Sequence, residues 1–357
     1  MMVWTVLISF GLVTVSGILG IDLDVGYYVH LVKGQARLIW NQEPIERVLK
    51  RSDLPAKTRE RLELIQEVRE FAEEEIGLTQ SKNYTTYSDI GQGPVSWNLI
   101  ACPKDKLEPI RWTYPVVGSA PYRGFFDRDR AEKEQKALES RGYDTFLRGV
   151  SAYSTLGWFQ DPILSTMMNY GEGTLADLII HELTHATIWI EGDVTFNESL
   201  ASFVGEQGAR LFLESRYGSD SEEIASLRGG EVDQKSFSQF LHGIAGQLDS
   251  LYAEDITYNE KVEKREVIFA AAKAQFELMT WETNAYRGFL NWKLNNARLA
   301  LYRTYSEGVD VFGRVYRALD NDLNASIHLF KRCEDAENPE TYLDEWLADR
   351  NSKNGDP

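Results

Sequence analysis

Between Leu175 and Gly205 the chain reads LADLIIHELTHATIWIEGDVTFNESLASFVG, and no other stretch constrains the fold as much. It contains His181-Glu182-Leu183-Thr184-His185, two histidines four residues apart with a glutamate beside the first. After twelve intervening residues comes Glu198, within Asn197-Glu198-Ser199-Leu200-Ala201. On an α-helix, side chains four apart share a face about 6 Å apart along the axis, so both imidazoles can reach one ion. Zinc takes nitrogen, sulfur and carboxylate ligands in a tetrahedron, and a catalytic site keeps one vertex for water. His181, His185 and Glu198 supply three vertices, and Glu182 is placed as general base for that water.

The surrounding residues decide how the motif is presented. Leu175, Leu178, Ile179 and Ile180 before it, with Ile188 and Ile190 after it, describe a largely buried helix. Such a setting is costly for a carboxylate and two imidazoles without a common partner, which weighs against an ordinary amphipathic helix carrying incidental histidines. Glu191-Gly192-Asp193 signals a turn, and helical spacing restarts over Asn197 to Val204. So short a connection returns the second helix antiparallel to the first and carries Glu198 back toward His181 and His185.

At 357 residues the chain can bury a large core. Its net charge of −17, with no prominent run of Lys or Arg, argues against nucleic acid as a partner. Residues 3–19 carry no charged side chain, a length suited to the apolar part of an export signal. Val15-Ser16-Gly17 offers small residues for cleavage. The usual basic start is missing, so an uncleaved membrane anchor or a start-site artefact is the alternative; the expected location is export, to the periplasm or to a membrane-anchored place in the cell envelope. Cys102 and Cys333 are the only cysteines; they either pair in an oxidising compartment or stay as two buried thiols.

The expected organisation is a leader over residues 1–21, one folded unit over 22–350 and a polar, disordered tail over 351–357. Within the unit, residues 22–83 read as helices, residues 84–205 as a small sheet plus the metal helices, and residues 206–350 as helical. Tyr27 to Trp40, Ile45 to Arg51 and the stretch from Pro55 to Gly77 have helical spacing. Val95 to Ala101, Ile110 to Val117, Tyr122 to Phe126 and Tyr143 to Tyr153 read as strands, with Gly118-Ser119-Ala120-Pro121 as a turn. Asp127 caps a charged helix that runs to Arg141. Ser151 to Pro162, or its flank, is the expected sheet edge along which an extended peptide would lie. Beyond Gly205, Phe237 to Tyr252, Tyr258 to Thr283, Trp292 to Ser306, Val309 to Asp320 and Asn324 to Cys333 carry apolar residues at helical spacing.

Metal-assisted amide hydrolysis also needs an electrophile for the charge that develops on the amide oxygen. Tyr302, Tyr305 and Tyr153 are the candidates among 17 tyrosines. His30, His242 and His328 read as structural. Selectivity for a free amino terminus would need a carboxylate for the substrate ammonium; Asp161, Glu172, Glu191 and Glu206 are near the motif in sequence.

Several separate motifs occur in an order that resembles the bacterial "Putative aminopeptidase" family, whose members look like gluzincin-type metallopeptidases. They are Tyr27-Tyr28 with Gly34-Gln35, Trp112-Thr113-Tyr114-Pro115 through Phe126, and Ala152 to Phe159 with Asp161-Pro162. The His181 motif, Phe196-Asn197-Glu198 and Asn295-Asn296-Ala297 follow. The resemblance implies an α+β, zincin-like peptidase holding one zinc on His181, His185 and Glu198, with Glu182 as catalytic acid and base and a peptide as substrate. Many members look like lipoproteins with a cysteine after the leader; here no cysteine lies between Met1 and Gly77. Two other functions fit the same motif: a zinc endopeptidase of the envelope, and a non-catalytic binding or scaffold protein with a structural zinc.

Overall fold

The computed structural model describes residues 25–91, 93–114, 118–150, 160–305 and 311–354. In chain order the elements are α1 (Val25–Trp40), β1 (Gln42–Pro44), α2 (Ile45–Val48), α3 (Ala56–Glu74), β2 (Thr86–Ser88) and β3 (Ser96–Cys102). Then come β4 (Trp112–Tyr114), β5 (Gly118–Ala120), β6 (Arg123–Phe125), α4 (Arg128–Ser140), β7 (Asp144–Val150) and β8 (Ile163–Leu164). The remainder is helical: α5 (Glu172–Thr187), α6 (Val194–Tyr217), α7 (Glu222–Ala253), α8 (Tyr258–Glu277), α9 (Asn296–Tyr305), α10 (Val311–Ala318), α11 (Leu323–Lys331) and α12 (Pro339–Asn354). Helices and small sheets together make an α+β architecture.

The sheet that matters for the site has the order β6-β3-β7, antiparallel throughout. Trp97 pairs with Gly149 and Asn98 with Arg148, so β7 runs the full length of β3. Strand residues alternate between faces. Leu99 and Ala101 therefore pack on one side with Tyr27 of α1 and Ala131 and Leu138 of α4. Ile100 and Cys102 pack on the other with α7, α8 and α9, through Phe237, Phe240, Phe269 and Leu299. A separate, larger core joins α3, α5, α6, α10, α11 and α12, and includes Ile65, Ile179, Ile180, Phe196, Phe312 and Phe330. Burying side chains of this size contributes about 1.5–3 kcal/mol each, so both cores are substantial.

Several boundaries differ from expectation for identifiable reasons. Gly118-Ser119-Ala120 is not a turn: it forms β5 and pairs with β4, while the Arg111 guanidinium donates to the Ser119 hydroxyl at 2.9 Å and carbonyl at 2.7 Å. Helix α7 begins at Glu222, well before Phe237, because the Ser221 hydroxyl caps it. Gly229 and Gly230 lie within it without breaking it, and a Cβ at Gly229 would come 3.2 Å from Glu282 Cβ, so the small residue admits a close neighbour. The stretch after Trp292 enters α9 only at Asn296, and a short 3-10 turn, Arg287–Asn291, precedes it. Helix α12 lies mostly in the part expected to be helical but carries past Asn351 to Asn354, replacing the start of the expected tail. Residues 1–24 lie outside the described part; among the described residues no helix is long and apolar enough to cross a membrane.

Candidate metal centre

Helices α5 and α6 are a hairpin, and the chemistry of its turn fixes where Glu198 falls. Gly192 takes a φ of 84°, in the left-handed region that glycine adopts without a Cβ penalty. Asp193 caps α6 by accepting from the Phe196 amide at 2.9 Å. The buried Asn197 side chain closes the turn from both ends, accepting from the Ile190 amide at 2.9 Å and donating to the Ile190 carbonyl at 2.7 Å. Glycine also sets how closely the two helices approach. A Cβ at Gly205 would fall 2.5 Å from Asp177 Oδ1 and 3.1 Å from His181 Cβ, and one at Gly208 would fall 2.9 Å from Ile180.

This packing brings the three expected ligands together. His181 Nε2 and His185 Nε2 lie 3.2 Å apart. Glu198 Oε2 is 3.6 Å from His181 Nε2, and Oε1 is 3.5 Å from His185 Nε2. Among the described residues this is the one group of three or more His, Cys, Asp or Glu so arranged. Ligand atoms on a tetrahedral zinc stand about 3.4 Å apart, given bonds of about 2.0–2.2 Å. The donor atoms already have that spacing, so the residues fit a zinc ion.

Electrostatics follows from the same convergence. Burial works against a charged His181, yet the Glu198 hydrogen bond and the charges of Glu182, Glu198 and Asp177 outweigh it and raise its pKa above the ordinary histidine value. Burial, together with the neighbouring His181, holds His185 below that value. Burial opposes ionisation of Glu198, but the two imidazoles lower its pKa overall. His185 Nδ1 is buried without a hydrogen-bond partner among the described residues, and its ring meets Trp189 edge-on at 5.6 Å.

Beside the ligands opens a cleft of about 350 Å³ lined by His181, Glu182, Asp177, Thr174, Tyr170 and, across from them, Arg148. Gly149 and Val150 of β7 line it as well, and β7 is the edge strand of its sheet among the described residues. The flank of the expected peptide-binding edge therefore borders the metal helix, while 151–159 themselves lie outside the described residues.

The other expected site residues sort differently. Tyr302 does not line this cleft; it stacks on Trp292 at 5.0 Å and meets Phe237 at 6.1 Å within the α7–α9 core. The Tyr305 side chain and all of Tyr153 lie outside the described residues. Glu172 is engaged by Arg61 at 3.2 Å and by the Tyr217 hydroxyl, and Glu191 is exposed on the turn after α5. Glu206 keeps company with Asp177 and Glu231, and burial followed by their charges raises its pKa. Asp161 is buried, and its charge acts on Tyr84. His30 accepts from the Phe126 amide at 2.9 Å, and His242 bonds the Ser238 carbonyl at 3.0 Å on an exposed face.

Three neighbours of the centre carry no signal in the motif itself. Tyr84 is fully buried with a φ of 60°, its amide bonded to the Asp161 carbonyl at 2.7 Å. Burial first, then the charges of Glu182 and Asp161, push its hydroxyl well above the usual tyrosine range. Asp177 sits one turn before His181, and burial pushes its carboxyl up to about 6 against the pull of His181. Its four-residue spacing from a ligand was a usable signal. Arg148, 33 residues before His181, is brought in by the sheet alone.

No curated protein and no solved structure matches the chain. The model of the family described as "Putative aminopeptidase" matches residues 26–342, a span that takes in the α5–α6 hairpin, β7 and the whole cleft, and the chain belongs to that family.

Proposed function

We propose that this chain is a zinc-dependent aminopeptidase on a zincin-like fold. The observation that carries the reading is the convergence of His181, His185 and Glu198, with donor atoms 3.2–3.6 Å apart, beside a cleft that His181 and Glu182 line. Membership of a family described as "Putative aminopeptidase" supports the peptidase assignment.

His181, His185 and Glu198 would hold the zinc, which when bound supplies Lewis acidity to a water and to an amide carbonyl. Glu182 takes the proton from the attacking water and returns it to the leaving amine. Tyr84 stays protonated at neutral pH, and its buried phenol feels the charge of Glu182. The end of β7 at Gly149 and Val150, an edge strand among the described residues, offers main-chain groups that align an extended peptide without regard to its side chains. Asp177 in the cleft, with Glu206 near it, supplies negative charge that draws the ammonium of a free amino terminus.

Glu182→Gln is expected to retain one zinc per chain and to lose about a hundredfold or more in kcat. A variant as active as the parent would remove Glu182 from the mechanism. A peptide with a free amine should be cleaved and its N-acetylated twin left intact. Equal cleavage of the two would make the enzyme an endopeptidase.

A further inference from the structure

Phe146, Arg148 and Val150 alternate onto one face of β7, whereas Leu147 belongs to the opposite face. The first face is the one α9 covers. From α9, the Arg298 guanidinium carbon sits 4.5 Å from the Phe146 ring centroid and 4.0 Å from that of Trp292. Its Nε is buried without a hydrogen-bond partner among the described residues. Tyr302, one helical turn further on, stacks on the same Trp292. Arg148 lies two residues along the same face of β7 from Phe146, the ring that Arg298 covers, so the two cations approach the same end of that face. Arg148 then continues outward to the cleft wall facing His181 and Glu182.

Neither arginine forms an ion pair among the described residues. For the half-buried Arg298 that is unexpected in a chain with 55 acidic and 38 basic side chains, where carboxylates are easy to find. A guanidinium pressed between two aromatic rings loses hydration, and cation–π attraction offsets only part of that loss. The planar fork that remains is shaped for a carboxylate.

We propose that Arg148 and Arg298 form a carboxylate-binding subsite that receives the anionic end of a short peptide on the carboxyl side of the scissile bond. The assignment of that side rests on the aminopeptidase reading. With one residue held on the amino side by its ammonium, the leaving portion is the part free to extend along β7. A cleft of about 350 Å³ suits a substrate of only a few residues, whose terminal carboxylate lies close to the reacting amide. The carboxylate is that of the chain terminus or of an acidic side chain at the same position.

The test is calorimetric titration of the zinc-loaded Glu182→Gln protein, which needs no turnover. The probes are alanyl-leucyl-glycine, its C-terminal amide, and the α-amide of alanyl-leucyl-aspartic acid. The free acid is expected to bind about tenfold more tightly than the glycine amide, and adding Arg148→Gln to the protein should abolish the difference. Arg148 is exposed, so this substitution leaves the fold in place, which a melting curve checks. Tight binding of the aspartyl amide assigns the subsite to any carboxylate at that position, and weak binding assigns it to the chain terminus. Equal affinity for the free acid and both amides overturns the proposal. Turnover by the parent reports on the peptidase reading separately. Acid-selective binding without cleavage keeps the subsite and removes the reaction, whereas cleavage without selectivity does the reverse.

Discussion

His181 and Glu198 face each other with opposite tendencies, one pKa raised and the other lowered, while His185 beside them is held in its neutral form. Without a metal, this arrangement favours a proton on His181 held against Glu198. A metal ligand must be deprotonated, so loading the site displaces that proton. The sign follows directly: below the raised pKa of His181 the proton competes with zinc, and affinity falls as pH falls. Zinc titrations in buffers of different ionisation enthalpy should therefore show proton release that grows as pH falls toward the raised pKa of His181. Affinity should rise across the range just above the ordinary histidine value of about 6.5. A pH-independent affinity would mean that His181 is not a ligand. At this scale the sequence was informative where residues act through helical spacing: His181, Glu182 and His185 share one helix, and Asp177, one turn earlier on it, went unnoticed although the same spacing held it. Tyr84 and Arg148 were invisible because their proximity to Glu182 is created by tertiary packing across long stretches of chain. The cysteines were left open by sequence and are resolved by position. Cys102 and Cys333 are free thiols in different cores, and burial pushes Cys333 up to about 12.

Elements with a long apolar period were legible, and very short ones were not. Helices α5 and α6 announce themselves through Leu175, Ile179 and Leu183 and through Leu200 and Val204, all buried. Strands β1, β2 and β8, two or three residues each, are too brief to show alternation and exist because Tyr87 and Ser88 find partners in Ile163 and Leu164. Strand β7 is held differently, by polar groups at its buried end. Asp144 accepts from Arg265 of α8 at 2.7 and 3.2 Å and from the Asn296 amide that opens α9 at 3.0 Å. The same guanidinium reaches the Lys104 carbonyl at 2.8 Å. Both charged side chains are buried, at 6% and 7% exposure, so removing one strands the other in a medium that solvates it poorly. Arg265→Leu is expected to cost about 3–5 kcal/mol in urea unfolding. Adding Asp144→Asn should recover part of that loss, because the stranded charge is then gone. A single variant within about 0.5 kcal/mol of the parent would show that the pair does not anchor β7.

At the scale of the whole molecule, the cleft has a wall from each of two packed bodies. His181 and Glu182 belong to the helical core of α3, α5, α6 and α10–α12, whereas Arg148 and Gly149 belong to the sheet that α1, α4 and α7–α9 enclose. The ligands themselves all lie on the first body, on a hairpin whose closing contacts depend on Gly205 and Gly208. Metal binding is thus linked to the integrity of α5 against α6, and it should appear as stability. A ligand at about a thousand times its Kd adds about 4 kcal/mol to the folded state. For a chain of this length that corresponds to a rise in Tm of roughly 5 °C. Scanning calorimetry of the metal-free chain with and without zinc measures it; a chelator should reverse the shift, and His185→Ala should show none. His185 is the decisive position because its ring is almost wholly buried, at 4% exposure, and reaches Glu198 from inside the hairpin. Were zinc to raise the Tm of His185→Ala as far as that of the parent, the stabilising ion would have to sit elsewhere, and the hairpin would be a packing motif without a metal.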